Sequence, residues 1–524
     1  MSLYLGLDSS TQGFSAIVIE REGDRRSVIF ESDLSFDEAL PEFGTTHGVL
    51  PSRDPAVVVS PPLMWAAALD VMLQRVARAG LDIQRLAAIS GSAQQHGSVY
   101  LNASAEAALA RLDPSRPLVE QLTGVFSRDV APIWMDSSTA CECAEIAEAV
   151  GGGAALAERT GSRAFERFTG PQIRKFFKQD AAAYEATARV HLVSSYMASL
   201  LLGANAPIDG GDASGTNLMD LRTNAWWPAA LEATAPGLDR KLPPIVSGST
   251  VIGRLSRYWQ ARYGLPPAQL IVWSGDNPST LVGTGLVRTG LLAISLGTSD
   301  TVFGPMPQPN IDSTGAAHVF VSPAGGYMGL TCFRNGSLAR ERIRESFGLS
   351  WDTFSQMLDA TPAGNHGRML LPWFEPEITP RVDRPGLHRH DLAPDDGPGH
   401  VRAIVEAQQM ALALHARWMQ VDVAAIYATG GAAVNRAILQ VMADVFGADV
   451  YQFDVGNTAS LGAALRALHG HLAGTGRPLN WSEAVAGFAE PRTDSRLTPN
   501  AANQSIYRNL LESYAQFEAR ALAQ

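Results

Sequence analysis

Cysteine is scarce. The 524 residues contain three, Cys141, Cys143 and Cys332. An odd, sparse set builds no disulfide framework and points to a reducing compartment. Cys141 and Cys143 flank Glu142 in a helix-like segment with no second ligand pair nearby, so they read as structural rather than zinc-binding. Charge is also modest. Charged residues make up 18% of the chain, the net charge is −11, and the basic residues are scattered. Such a surface does not neutralise a phosphate backbone or an anionic bilayer, so neither nucleic acid nor membrane is expected as a partner. No uncharged apolar run reaches the ~18 residues of a membrane span. Ser2 to Gly6 leads directly into an apolar strand with no basic stretch before it, so no secretory signal is read and a cytoplasmic location is expected. The GxxxxGK[ST], GxGxxG and HExxH patterns are missing, so any phosphate must be held by other local donors.

What is present is a globular composition. Hydrophobic residues make up 46%, and the length favours two or more domains with real cores. The stretch around which the rest is organised is Gln269-Leu270-Ile271-Val272-Trp273, followed by Ser274-Gly275-Asp276-Asn277-Pro278-Ser279. The first part reads as a short buried strand. It stops on small and polar residues. Gly275 permits close approach of a backbone or ligand, and Pro278 suits the first turn of a helix. Asp276 therefore stands at the carboxyl end of a strand, the crevice position of open α/β sheets. A carboxylate there can take a proton from a bound hydroxyl, or it can simply cap the following helix.

Two hairpins share one grammar. Leu3 to Asp8 is apolar, Ser9-Ser10-Thr11-Gln12-Gly13 is a polar turn, and Phe14 to Ile19 is apolar again. Almost half a chain later, Leu291 to Leu296, Gly297-Thr298-Ser299-Asp300 and Thr301-Val302-Phe303 repeat the pattern. A repeat at that scale is a duplicated domain rather than a solenoid, so two α/β domains around a central cleft are expected. Gly297, Thr298 and Ser299 offer N–H groups and hydroxyls to phosphate oxygens. Ser10, Thr11 and Gln12 can also donate to a phosphate. Asp8 and Asp276 are hard oxygen ligands suited to Mg2+, directly or through water.

Between the hairpins, Leu86 to Ser90 is a strand that runs into Gly91-Ser92-Ala93-Gln94-Gln95-His96-Gly97. Gln95 and His96 can both donate and accept, which suits recognition of hydroxyls, although a loop histidine is more often just solvated or satisfied in a core. Trp134, beside Asp136, offers a stacking face or is plain core. Arg167 stands at a turn before a helix, where it can reach sugar oxygens or pair with a surface acid. In the second half, Asn335 to Phe347, Trp351 to Leu358 and Val401 to Met419 read as helices. Ala424 to Ala428 reads as a strand, followed by Thr429-Gly430-Gly431 and a helix from about Asn435. The Gly430-Gly431 turn lets a flat ring or a phosphate approach the backbone at a helix N-terminus, or is an ordinary tight turn. His388-Arg389-His390-Asp391 reads as a solvated loop rather than a metal cluster. The domain boundary is placed at 1–285 and 286–524, with the last helix, Ser505 to Ala523, able to pack back on the first domain.

Taken together, Gly6-Leu7-Asp8-Ser9-Ser10-Thr11-Gln12, Gly275-Asp276-Asn277, Ser295-Leu296-Gly297-Thr298-Ser299-Asp300 and Thr429-Gly430-Gly431 resemble the FGGY carbohydrate kinases. The closer likeness, carried by Gln94-Gln95-His96-Gly97-Ser98, Pro132 to Ser138 and Glu166-Arg167-Phe168-Thr169-Gly170, is to the branch of that family that phosphorylates D-xylulose with ATP. The resemblance implies an actin-like, ribonuclease H-like two-domain ATPase fold. It implies Asp276 as the base, and His96, Arg167, Asp276 and Asn277 as holders of the ketose. It places Trp351, Gly430, Gly431 and Asn435 in the nucleotide site. Ser274 and Pro171 depart from the branch's pattern: Ser274 keeps a hydroxyl, whereas Pro171 removes a backbone donor near Arg167. The expected partners are a small sugar, ATP and Mg2+, in a monomer or homodimer. The alternatives are a kinase for another ketose or polyol, or an actin-like ATPase with no sugar substrate.

Overall fold

The computed structural model describes residues 2–523 except Asp24 and Val455. The chain forms two compact units. The first comprises residues up to Val287 together with 319–327 and 457–489. The second comprises 288–318, 328–456 and the residues from Glu490 onward.

The first unit opens with β1 (Ser2–Ser9), which is buried along nearly its whole length, and returns antiparallel as β2 (Gly13–Glu22) and β3 (Arg25–Ser35). Helix α1 (Pro62–Ala77) covers the sheet with Met64, Trp65, Leu69, Met72, Leu73 and Val76. Strand β4 (Leu86–Ala93) then lies parallel to β1. Strands β5 (Val251–Arg254), β6 (Gln269–Ile271) and β7 (Ser274–Gly275) complete the sheet, in the order β5-β6-β4-β1-β2-β3 with β7 also on β4. The register is what builds the site. Ala93 is the partner of both Ser9 on β1 and Gly275 on β7. Three parallel strands thus end abreast, and Ser10, Gln94 and Asp276 follow directly. Asp276 opens helix α2 (Asp276–Gly283).

The second unit repeats this plan. Strand β8 (Leu291–Leu296) turns back antiparallel as β9 (Asp300–Met306), with β10 (Tyr327–Phe333) beyond it. Helices α3 (Ser337–Ser346), α4 (Trp351–Ala360) and α5 (Gly397–Leu414) follow. Strand β11 (Ala425–Thr429) lies parallel to β8, helix α6 (Arg436–Phe446) follows, and β12 (Asp449–Gln452) lies parallel to β11. The order β10-β9-β8-β11-β12 matches β3-β2-β1-β4-β6 strand for strand. This is the duplicated ribonuclease H-like arrangement of the actin-like ATPases, so the expected fold class holds.

The division of the chain differs from a single cut after residue 285. Helix α7 (Thr458–Gly474) returns to the first unit and packs on β1, β4 and α2. Its small residues allow this. A Cβ on Gly6 would stand 2.0 Å from the Ser460 carbonyl oxygen, and one on Gly462 would stand 1.9 Å from that of Ser279 in α2. The last helix, α8 (Ala501–Leu522), belongs to the second unit rather than the first. Its buried face, Tyr507, Leu510, Leu511, Tyr514 and Phe517, is matched to α5 and α6. Among the described residues no helix is long and apolar enough to cross a membrane.

Candidate active site

In the first unit the strand ends bring Asp8, Gln95, His96, Asp276 and Asn277 together. Helix α2 is capped at Gly275, so Asp276 is its first residue and not its cap. The Asp276 Oδ1 accepts from the Asn277 backbone N–H at 2.7 Å and from Asn277 Nδ2 at 3.1 Å. Asn277 Nδ2 also donates to Gln95 Oε1 at 2.9 Å, and Gln95 Nε2 reaches the Gly211 carbonyl at 3.4 Å. Gly275 has to be glycine, because a Cβ there would overlap the Gln95 side chain at 2.3 Å. His96 has a left-handed backbone, φ 73°. Its Nδ1 lies 2.7 Å from the Gly215 carbonyl oxygen and therefore carries the hydrogen. That leaves Nε2 as the ring's acceptor. The ring rests on Phe168 at 4.6 Å, and the Arg167 guanidinium lies over Phe165 and Phe168 at 4.8 and 5.5 Å.

The electrostatics follow from burial. Asp276 is pushed up to about 7, first by burial and then by the Asp8 carboxylate. Asp8 is pushed up to about 6 by burial, which the Ser92 hydroxyl partly opposes. His96 is pushed down to about 3 by burial and by Arg167, so its ring is neutral. Asp8 Oδ1 is buried and makes no hydrogen bond among the described residues. In the turn, Ser10 donates to the Gly13 carbonyl at 2.9 Å, and Gln12 is exposed. Trp134 is 45% exposed rather than core, and its Nε1 donates to Thr11 Oγ1 at 2.8 Å. Asp136 is occupied structurally by Val58, Ser138 and Gln172.

In the second unit, Gly297, Thr298, Trp351, Gly431 and Asn435 line a single cavity of about 630 Å³. Two expected residues fall outside it. Ser299 is exposed on the turn, and Gly430 lines a neighbouring pocket instead. Gly430 has φ 86°, and a Cβ on it would stand 2.7 Å from the Leu296 carbonyl oxygen, so its place is against β8. Asn435 faces the cavity but spends its carboxamide on local structure. Its Oδ1 accepts from the Ala437 and Ile438 amides at 3.0 and 3.2 Å, capping α6, and its Nδ2 donates to Ser355 at 2.8 Å.

Comparison with known proteins bears on both units. The model of the N-terminal domain of the FGGY family of carbohydrate kinases matches residues 129–283, and that of the C-terminal domain matches residues 292–471. The chain is 43% identical over 531 residues to the xylulose kinase of Rattus norvegicus, covering 99% of this chain and 97% of that protein. It is also 43% identical over 498 residues to xylulose kinase 2 of Arabidopsis thaliana, covering 90% and 88%. The chain belongs to the FGGY family of carbohydrate kinases. Its fold is also that of the solved xylulose kinase of Rhodospirillum rubrum, with a TM-score of 0.81 at 20% identity over 99% and 98% of the two chains.

As an FGGY kinase it is a phosphotransferase acting on a sugar, and the structure adds polar residues that the sequence reading did not single out. Asp212 is buried, accepts from the Ser194 hydroxyl and comes directly after Gly211, whose carbonyl holds Gln95. Arg340, 1% exposed, lines the second-unit cavity and pairs with Asp300 at 3.2 Å and with Gln408 Oε1 at 2.6 Å. Gln408 Nε2 donates to the Asn335 and Gly336 carbonyls at 2.8 Å each, and the Ser337 amide donates to Gly297 O at 2.8 Å. These bonds anchor the Gly297–Thr298 turn from below. Asp300 was visible as part of the hairpin motif. Its partner lies forty residues on, in a helix whose sequence does not distinguish a buried arginine from a solvated one.

Proposed function

We propose that this kinase transfers the γ-phosphoryl group of ATP to D-xylulose, giving D-xylulose 5-phosphate and ADP. The observation that carries the reading is the Asp276 carboxylate. It stands at a strand end with its pKa pushed up to about 7, with one oxygen fixed by Asn277 and neutral His96 close by. A base poised near neutral pH suits removal of an alcohol proton. His96, Arg167, Asn277, Gln95 and Trp134 are assigned to the ketose. Ser10, Thr11 and Gln12 are assigned to the nucleotide phosphates, and so are Gly297, Thr298 and Ser299. Trp351, Gly430, Gly431 and Asn435 are assigned to the nucleoside side. The extended identity to xylulose kinases supports the choice of ketose.

In this mechanism the C5 hydroxyl of the ketose gives its proton to Asp276 as its oxygen bonds to the γ-phosphorus. The bond from that phosphorus to the bridging oxygen breaks, and ADP leaves with the electron pair. Proton transfer of this kind contributes about 10²–10⁴-fold. The remainder comes from positioning and from donors preset on the turn residues. Asp8 and Asp276 suit a hard cation, since Asp8 Oδ1 is an orphaned buried acceptor. Among the described residues no group of three or more His, Cys, Asp or Glu gathers for a metal. That matches Mg2+, which takes one or two carboxylates and fills its shell with water and phosphate oxygens. When bound, Mg2+ would neutralise charge on the phosphates. The three free thiols suit a reducing, cytoplasmic setting, and a monomer or homodimer is proposed.

The test is a coupled assay of ADP release across D-xylulose, ribulose, gluconate and glycerol. Strong preference for D-xylulose supports the reading. Preference for another polyol overturns the substrate, and ATP hydrolysis indifferent to every sugar overturns the kinase mechanism.

A further inference from the structure

The nucleotide cavity proposed for the second unit contains one residue of the wrong sign. Glu341, on α3, lines it together with Arg340. Glu341 is half-buried and makes no hydrogen bond or ion pair among the described residues. Its neighbour does not compensate it, because the Arg340 guanidinium is turned to Asp300 and Gln408. A carboxylate is an acceptor only. Next to a triphosphate it repels. A cavity that takes ATP therefore tolerates this acid only where the ligand presents donors. A nucleotide carries donors at its nucleoside end, on the ribose hydroxyls and on the exocyclic amine of adenine.

The phosphate end is fixed by other residues. The Gly297 and Thr298 turn is held by the Ser337 amide and by the Asp300–Arg340–Gln408 cluster. Glu341 lies one helical turn beyond Ser337 on the same helix, so it is displaced along α3 from that anchor. We infer that Glu341 is a specificity-determining residue that accepts a hydrogen bond from the nucleoside, orienting the nucleotide with its phosphates toward Gly297 and Thr298. The inference rests on the assignment of this cavity to the nucleotide and not on the identity of the sugar.

The experiment measures binding of ATP, 2′,3′-dideoxy-ATP and ITP to the full-length protein without sugar, for the wild type and for Glu341→Ala, with thermal midpoints recorded alongside. A hydrogen bond to a charged acceptor corresponds to roughly ten-fold or more in affinity. The expected result is that Glu341→Ala loses about ten-fold for ATP. It should lose little for the one analogue that lacks the donor: 2′,3′-dideoxy-ATP if the donor is on the ribose, ITP if it is the amine. Equal losses for all three nucleotides at an unchanged midpoint would overturn the inference, and so would unchanged or tighter binding of all three. Should Glu341→Ala fold poorly, Glu341→Gln serves instead, since it keeps an acceptor and must keep the wild-type ranking of the three. Failure of the wild type to bind any nucleotide would instead count against the cavity assignment.

Discussion

Replacing Gly462 by alanine pushes on Asp276 from outside the site. Helix α7 meets α2 at Gly462 and Gly283. A Cβ on Gly462 would lie 1.9 Å from the Ser279 carbonyl oxygen and 3.0 Å from the Gly283 amide nitrogen. These are backbone atoms, so no side-chain rotation relieves the clash. Reaching ordinary contact requires the two helices to part by roughly 1.5 Å. Overpacking of this kind costs about 1–3 kcal/mol, which a chain of this size survives. The effect on catalysis is larger. Asp276 is the first residue of α2 and moves with it, and a misplacement of about 1 Å at a reacting group costs about 10²-fold in rate. The assay is kcat for sugar phosphorylation at saturating ATP and sugar, well below the thermal midpoint, with ADP affinity measured in parallel. The expected result is a folded variant with kcat down about 10²-fold and ADP affinity much less affected, since the cavity proposed for the nucleoside is lined by the other unit. Wild-type kcat in a folded Gly462→Ala variant would refute the idea that α7 sets the position of Asp276.

Other outcomes follow from the same structure. Arg340→Met strips a buried carboxylate, Asp300, of its cation, which destabilises by about 3–5 kcal/mol. Urea unfolding should show this, and Arg340→Met combined with Asp300→Asn should recover part of it. His96→Ala should weaken ketose binding more than nucleotide binding in calorimetry; equal loss of both would indicate misfolding. Because His96 is held near 3, its ring stays neutral at pH 5–8, so no step in sugar affinity should arise from it in that range. Asp8 and Asp276 both have folded pKa values above those of the unfolded chain. Their contribution to stability is therefore fully present below about pH 4 and is lost as pH rises through about 6–7. Added Mg2+ should raise the thermal midpoint more at pH 8 than at pH 5, and an equal rise at both would count against a cation at these carboxylates.

Much of this was legible because it is written locally. Strand–turn–strand grammar appears twice, and both sheets follow it with the same strand order. The place of Asp276 at a strand end was legible from punctuation, an apolar run ending in Ser274-Gly275 and reopening at Pro278, although base and helix cap could not be told apart there. What escaped notice depends on distant closure. The Gly215 carbonyl that sets the His96 tautomer lies 119 residues away. Arg340 reads as one of several charges on α3 until folding buries it against Asp300. The return of α7 to the first unit leaves no local period, only small residues spaced to admit β1 and α2. Ser299 and Gly430 were drawn toward the cavity by motif and lie just outside its lining, one solvated and the other pressed against Leu296.

The most direct test of the account is single-turnover phosphoryl transfer by Asp276→Asn, read together with calorimetric sugar affinity. An acid that serves as the base should be nearly dispensable for binding, with affinity kept within roughly ten-fold, about 1.4 kcal/mol, while transfer falls by about 10²–10⁴-fold. Transfer at the wild-type rate in that variant would contradict the account.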